Sequence, residues 1–150
     1  MALHFNQYAS EGNAFLKDYA KHMGFGRDTD KAGRILSAIL HALRDIIPIN
    51  ESIQLFAQFP MFLKAVYVNA WSTRKTPDDI RTMEDFIALV RHRCGVSAPG
   101  DLGEENELVE RYIELTFMFL RRYVSLGEME DVRNTLPRDL KHMVYSQLMF

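Results

Sequence analysis

The chain has 150 residues, of which 47% are hydrophobic and 25% are charged, and its formal net charge is −2. This length and balance are typical of one globular domain with its own core. A charge so close to neutral gives no electrostatic basis for binding nucleic acid or an anionic membrane surface, so we expect neither as a partner.

Sequence features that report on location indicate the cytoplasm. The single cysteine, Cys94, cannot form an internal disulfide, which is typical of a reducing compartment. The N-terminal sequence MALHFNQYASEGNAF lacks the basic segment and apolar run of a signal peptide. No apolar run approaches the roughly 20 residues that a membrane-spanning helix needs.

Two amphipathic helices are predicted first. Apolar residues at helical spacing indicate a helix over about 13–23, preceded by a loose lead-in or a short extra turn. The carboxylates and hydroxyl of Asp28–Asp30 can cap the start of a second helix. Pro48 lacks a backbone donor and disfavours helix at the residue before it, so the second helix is expected to end at Ile47.

Shorter helices follow. Asn50 can cap a third helix that ends at about residue 57, and Pro60 suits the first turn of a fourth helix that reaches about Trp71. The segment Thr76–Asp79 combines a cap, a proline and two carboxylates, and this combination predicts that the next helix starts there.

A stretch of the chain occurs twice. Residues 43–67 align with residues 120–144 at a constant offset of 77, and six of the 25 aligned positions are identical. Ordinary residue frequencies give about one or two identities by chance. The identical pairs are Leu43/Leu120, Arg44/Arg121, Glu51/Glu128, Pro60/Pro137, Leu63/Leu140 and Lys64/Lys141.

The second half is expected to follow the plan of the first, with a short insertion within Ser97–Glu105. Asp101 and Glu104 have the spacing of a capping box and predict the start of a long helix. No alternating strand pattern or hairpin turn is evident. We therefore predict one all-α domain over 1–150, with about eight helices in two four-helix repeats at approximately 13–71 and 77–148.

The order of several motifs resembles a known family. They are Ile39–Asp45, Phe56–Pro60, Val66–Tyr67 and Trp71 in the first copy, and Phe119–Arg121, Leu136–Pro137 and Leu140 in the second. Over roughly residues 15–145 the chain resembles the bacterial family catalogued as domain of unknown function 2267, although Phe59-Pro60 stands where that family has Leu-Pro. The resemblance implies a small all-α bacterial cytosolic protein and implies no reaction.

The sequence offers little support for a metal site. His41 and Asp45 share a helix face, and Glu107, Glu110 and Glu114 share another. A ferritin-like site would also need Glu-x-x-His motifs, and zinc sites have their own Cys and His spacings, none of which is present. We interpret the first pair as structural and the three glutamates as a solvated face, and we expect neither a metal nor a cofactor.

Catalytic motifs are also missing. Cys94 follows the basic segment Arg91–Arg93, which could lower a thiol pKa, but the adjacent Gly95 marks a helix C-terminus, where the helix dipole disfavours a thiolate. No nucleophile elbow, phosphate loop or dinucleotide fingerprint is present. We therefore predict no catalytic residue, and an enzyme is the least favoured function.

Two arginines occupy the same repeat position. We expect Arg44 and Arg121 to join helix ends by donating hydrogen bonds to carbonyls, or to a carboxylate such as Glu51 or Glu128. The alternative is an anionic ligand held by these arginines in a pocket between the repeats, which would make the chain a small-ligand-binding bundle.

Comparison of the two copies also predicts an interaction surface. Phe56, Met61 and Phe62 correspond to Arg133, Arg138 and Asp139. If the polar residues face water, the apolar ones form an exposed patch, extended by Tyr67 and Trp71, that binds a protein partner or a second copy in a homodimer. The alternative is that these apolar side chains are buried against the other repeat or the N-terminal segment. A non-enzymatic interaction module is the preferred function.

Overall fold

All regular secondary structure in the computed structural model is helical over the residues it describes, which are 5–72 and 79–145. The helices are α1 (Phe5–His22), α2 (Thr29–Ile46), α3 (Ile49–Ala57), α4 (Met61–Val68), α5 (Met83–Cys94), α6 (Ala98–Leu102), α7 (Asn106–Leu120), α8 (Leu126–Thr135) and α9 (His142–Tyr145), with 3-10 turns at Gly95–Ser97 and Arg138–Leu140. The predicted all-α class with about eight helices is confirmed. None of the helices in these ranges has the length and apolar character needed to cross a membrane.

Helix α1 begins earlier than predicted. Its first turns, from Phe5, occupy the segment expected to be a loose lead-in or a short extra turn. Local contacts support this helix, because Gln7 donates to the Glu11 carboxylate at 3.0 Å and the rings of Phe5 and Tyr8 meet edge to face at 6.3 Å. Apolar periodicity did not reveal these turns because most of their side chains are exposed.

Helix α2 is the centre of the fold. The Asp28 side chain accepts the backbone N–H of Lys31 at 3.0 Å, as expected for a cap, and the helix ends before Pro48 as predicted. One broad face of α2 is buried and includes Ile35, Ile39 and Leu43. This helix packs against α1, α4, α5, α6 and α7, so it joins elements of both halves of the chain.

Three pairs of elements start 77 residues apart: α2 and α7, α3 and α8, and α4 and the 3-10 turn at Arg138–Leu140. Pro60 and Pro137 stand at the N-cap of matching elements, one residue before the first turn predicted for Pro60. Helix α6 and the 3-10 turn at Gly95–Ser97 lie in and beside the predicted insertion. Helices α3 and α8 also contact each other, which brings equivalent positions of the two halves together.

Two predicted helix starts in the second half need correction. Residues 76–78 lie outside the described residues, and α5 begins only at Met83, after a capping box in which Thr82 accepts the N–H of Asp85 at 3.1 Å. Asp101 does not cap α7. It lies within α6 and accepts two hydrogen bonds from Arg34, at 2.7 and 3.0 Å, because that guanidinium reaches it from α2.

Candidate functional site

The predicted aromatic and methionine patch is divided between surface and core. Met61 is 51% exposed at the start of α4. Phe62 is half-buried and turns the other way, toward α1, where its ring lies 5.1 Å from that of Phe15 and beside Gly12. Phe62 therefore packs against the N-terminal helix, which is the alternative that the sequence left open.

Tyr67 does not belong to a surface patch. Its side chain is fully buried, and its hydroxyl forms a 2.6 Å hydrogen bond with Ser52 Oγ of α3. Phe56 and Trp71 are half-buried and meet edge to face at 6.3 Å, and Phe56 also lies 5.7 Å from the Tyr67 ring. The three rings pack at steep angles to one another, and Phe56 and Trp71 form the partly exposed edge of this aromatic cluster.

The first half nevertheless carries exposed apolar side chains on two helices that contact each other, and we name these side chains together the α3–α4 surface. Its members are Ile49 and Ile53 on α3, 49% and 48% exposed, and Met61 and Val68 on α4, 51% and 38% exposed. The two residues on each helix are four or seven positions apart and therefore share one helix face. Sequence reasoning had proposed Met61 and missed the other three.

The equivalent positions of the second half are charged at two points. Ile53 corresponds to Glu130 and Met61 to Arg138, and both charged side chains are exposed. Residues 49–69 contain two charged side chains, whereas residues 126–146 contain seven. This face is therefore more highly charged in the second half, although Leu126, the equivalent of Ile49, is also an exposed apolar residue.

Arg44 ties the end of α4 to α2. Its Nη1 donates to the carbonyls of Tyr67 and Asn69, both at 2.7 Å, and its Nη2 donates to the carbonyl of Ala70 at 3.2 Å. The side chain is 3% exposed, and this burial lowers the pKa of the guanidinium. Three of its hydrogen bonds are made to the end of a helix, as the sequence predicted for a structural arginine.

Arg121 occupies a different environment from its repeat equivalent. It is exposed and forms the C-cap residue of α7, whereas Arg44 lies inside α2, which continues two residues further. An open cleft of about 510 Å³ lies between α1, α2 and α5, at the boundary between the halves, and is lined by Arg34, Arg93 and Cys94 among others. Neither repeat-equivalent arginine lines this cleft.

The groups considered for catalysis make structural contacts. His41 Nε2 donates to the Val66 carbonyl at 2.7 Å, and burial lowers the pKa of its imidazole. Asp45 does not pair with His41, because it accepts two hydrogen bonds of 2.7 Å from Arg93 of α5. The half-buried thiol of Cys94 faces hydroxyl and carboxylate groups of the following turn rather than the neighbouring arginines.

Two glutamates at the same repeat position meet where α3 packs on α8. One carboxylate oxygen each of Glu51, Glu128 and Asp131 lies within 4.8 Å of the others. Glu128 is 6% exposed, Glu51 is half-buried and Asp131 is exposed. Burial, together with the adjacent carboxyl group of Glu51 and the charge of Asp131, raises the pKa of Glu128 to about 8.

The sequence model of a family described as "Uncharacterized conserved protein (DUF2267)" matches residues 12–143, which is most of the chain. The chain belongs to this family. The comparison with curated proteins gives no match. The description of the DUF2267 family names no reaction.

The carboxylate cluster is the feature of this DUF2267 chain that sequence reasoning missed. Glu51 and Glu128 were recognised as an identical pair, but only as possible acceptors for the two arginines. The available signal was the repeat itself, because equivalent residues near a contact between equivalent helices lie close to each other. In the second half, Ser125 accepts the backbone N–H of Glu128 at 3.1 Å, whereas the Glu128 carboxyl group lies beside Glu51 and Asp131.

Proposed function

We propose that this chain is a non-enzymatic helical interaction module whose α3–α4 surface binds a protein partner, and that the partner is a second copy of the chain. The observation that carries the proposal is the exposed apolar side chains of this surface, two of which correspond to exposed charged residues in the other half. Exposed apolar patches of this kind are typical of interaction sites.

The free energy gained by burying these apolar side chains determines the expected affinity. Full burial of an aliphatic side chain contributes about 1.5–3 kcal/mol, so a side chain that is already half-buried contributes roughly 1 kcal/mol. Ile49, Ile53, Met61 and Val68 together therefore contribute about 4 kcal/mol, before the cost of association is subtracted. Both copies contribute in a self-complementary interface, so the gross gain is about 8 kcal/mol, to which the half-buried edges of Phe56 and Trp71 add. An association cost of at least about 4 kcal/mol leaves roughly 4 kcal/mol, which corresponds to weak association with a Kd of about 1 mM.

The near absence of charge favours a second copy over a charged partner. Between residues 49 and 69 the charged side chains are Glu51 and Lys64, and Glu51 is directed toward α8. A self-complementary interface places a surface opposite its own copy, so like charges would repel across it. An almost uncharged apolar surface avoids this repulsion.

The contacts of the candidate catalytic groups support a non-enzymatic role. His41 is engaged with a backbone carbonyl, and Asp45 forms a two-point ion pair with Arg93. A general base must reach the proton that it removes from a substrate. These two side chains instead fasten α2 to α4 and to α5.

The test is mass as a function of concentration, measured by sedimentation equilibrium from micromolar to millimolar protein. The double variant Ile53→Glu with Met61→Arg introduces the residues that the second half carries at these positions. We expect the average mass of the wild type to rise toward a dimer and that of the double variant to remain monomeric. Leu108→Glu, at another exposed apolar residue on α7, is the matched control and should associate as the wild type does.

Two results would contradict the proposal. One is a wild type that stays monomeric at millimolar concentration. The other is a double variant that associates as strongly as the wild type, which would place the contact on a different face. Circular dichroism of each variant establishes that the helices are retained, since both substitutions are at exposed positions.

A further inference from the structure

The packing of α3 on α8 brings three acidic side chains together. Glu51 comes from the first half, while Glu128 and Asp131 come from the second, one turn apart on α8. Each contributes one carboxylate oxygen to a group whose members lie within 4.8 Å of one another. Like charges at this separation repel, so the arrangement needs a positive partner or a shared proton.

Two buried oxygens of this cluster receive no hydrogen bond from any donor group of the described residues. Oε2 of Glu128 and Oε2 of Glu51 are both inaccessible to solvent and make no hydrogen bond there. Glu128 as a whole is 6% exposed. A buried carboxylate oxygen without a donor costs several kcal/mol, and a pKa of about 8 for Glu128 means that a proton held beside Glu51 offsets part of this cost when no cation is bound. The burial of these two oxygens is an observation separate from the clustering, and a cation that displaces the proton would supply both oxygens with a positive partner.

We propose that Glu51, Glu128 and Asp131 bind a hard divalent cation of the Ca²⁺, Mg²⁺ or Mn²⁺ class. Calcium–oxygen bonds are about 2.4 Å long, so two oxygens on opposite sides of one ion can be as far apart as about 4.8 Å. The three oxygens fall within this limit for Ca²⁺, and the shorter bonds of a smaller ion such as Mg²⁺ require them to move closer together. Carboxylate oxygens are the ligands that these ions prefer, and the exposed Asp131 leaves one side of the ion open to water.

A second acidic group in the described part of the chain lacks the same support. Glu110, Glu114 and His142 also lie within 4.8 Å of one another, but none of them is buried. Glu110 Oε1 already lies 3.2 Å from His142 Nε2. No buried orphaned oxygen belongs to this group, so it serves as the internal control for binding at the Glu51 cluster.

Cation binding at this position would join the two halves. The ligands come from α3 and α8, which are equivalent helices of the repeat, so an ion shared between them acts as a cross-link in the folded state. The unfolded chain does not hold the three carboxylates together. Binding therefore stabilises the folded protein, and the midpoint of thermal unfolding should rise with cation concentration until the site is full.

The test uses chelator-treated protein near neutral pH with MnCl₂ as the probe. Electron paramagnetic resonance measures the free Mn²⁺, and thermal unfolding is followed in parallel by circular dichroism. We expect the wild type to remove about one equivalent of Mn²⁺ from solution and to show a saturating rise in Tm. CaCl₂ should compete with the bound Mn²⁺ because both ions use the same oxygen ligands.

Variants identify the ligands. Glu128→Gln keeps the shape of the side chain and removes one negative charge, so we expect it to fold and to lose both the Mn²⁺ binding and the Tm rise. Glu51→Gln gives a second measurement from the other helix. Glu110→Gln, at the control cluster, should bind as the wild type does.

Two outcomes would overturn the proposal. In the first, the wild type leaves all Mn²⁺ free. If Glu128→Gln is then more stable than the wild type, the two glutamates share a proton instead of a cation. In the second, Mn²⁺ binds equally to the wild type and to both Gln variants, which places the ion elsewhere. The measurement is independent of self-association, because the variants leave the α3–α4 surface unchanged.

Discussion

Replacement of Arg44 by alanine tests the contact that fastens the end of α4. The guanidinium reaches from α2 to three carbonyl oxygens, of Tyr67, Asn69 and Ala70, which helix geometry leaves without intrahelical donors. The arginine also lies over the Trp71 ring, with 5.8 Å between Cζ and the ring centroid. Alanine removes all of these contacts at once.

The strength of these hydrogen bonds determines how much stability Arg44→Ala removes. The two 2.7 Å bonds from a charged donor contribute about 1.5–3 kcal/mol each, and the 3.2 Å bond contributes less. Part of this gain offsets the cost of burying the charge, which alanine recovers. We therefore expect Arg44→Ala to lower the free energy of unfolding by about 2–4 kcal/mol. This is a large fraction of the roughly 5–15 kcal/mol that stabilises an ordinary domain.

Urea denaturation followed by circular dichroism provides the assay, with the m value monitored to ensure that the transition remains two-state. The repeat supplies the control, because Arg121 occupies the equivalent position but is exposed. Arg121→Ala should change the free energy of unfolding by no more than about 0.5 kcal/mol. Equal effects of the two substitutions, or an Arg44→Ala effect below about 0.5 kcal/mol, would refute the assignment of Arg44 as a buried helix tie.

Three other predictions follow from single contacts. Burial and the nearby charges of Arg44 and Arg93 lower the pKa of His41, so its contribution to stability is complete above the unfolded pKa of about 6.5 and is lost as the pH falls below that value. The loss of stability between neutral and mildly acidic pH should therefore be smaller in His41→Gln than in the wild type. An equal loss in the two proteins would show that His41 does not contribute to the pH dependence. Thr82→Ala removes the capping box of α5 and should cost about 1 kcal/mol in a urea titration, whereas an unchanged midpoint would place the helix start elsewhere. Phe62→Ala should lower the free energy of unfolding by about 2 kcal/mol through lost packing on α1, and it should leave the association measured by sedimentation unchanged. Weaker association with little loss of stability would instead assign Phe62 to the interface.

Local signals predicted several helix ends, but not the start of α3, where the N-cap residue is Pro48 and not Asn50. Asp28 caps α2 and Pro48 ends it, as expected, because a side-chain acceptor or a missing backbone donor acts within one turn. A local signal failed where the same side chain forms a tertiary contact instead. Asp101 has capping spacing, but the guanidinium of Arg34 arrives from α2 and the carboxylate accepts it instead.

The candidate surface was only partly predictable. Comparison of the two copies correctly placed Met61 at the surface, because exposed positions tolerate charge in one copy and apolar residues in the other. Tyr67 was added to this patch without support from the comparison, and it is buried against Ser52. Helical spacing shows which residues share a face, but it does not show which neighbouring helix covers that face.

The sequence by itself determined that this chain is helical, that its elements recur 77 residues apart and that Pro60 and Pro137 mark matching helix starts. Only the tertiary structure decided the burial and the contacts of residues that are identical in the two copies. Arg44 is buried and Arg121 is exposed, because α2 continues past the arginine whereas α7 ends before it. The meeting of Glu51 with Glu128 arises from the packing of α3 on α8, a contact between segments distant in sequence that no local pattern encodes.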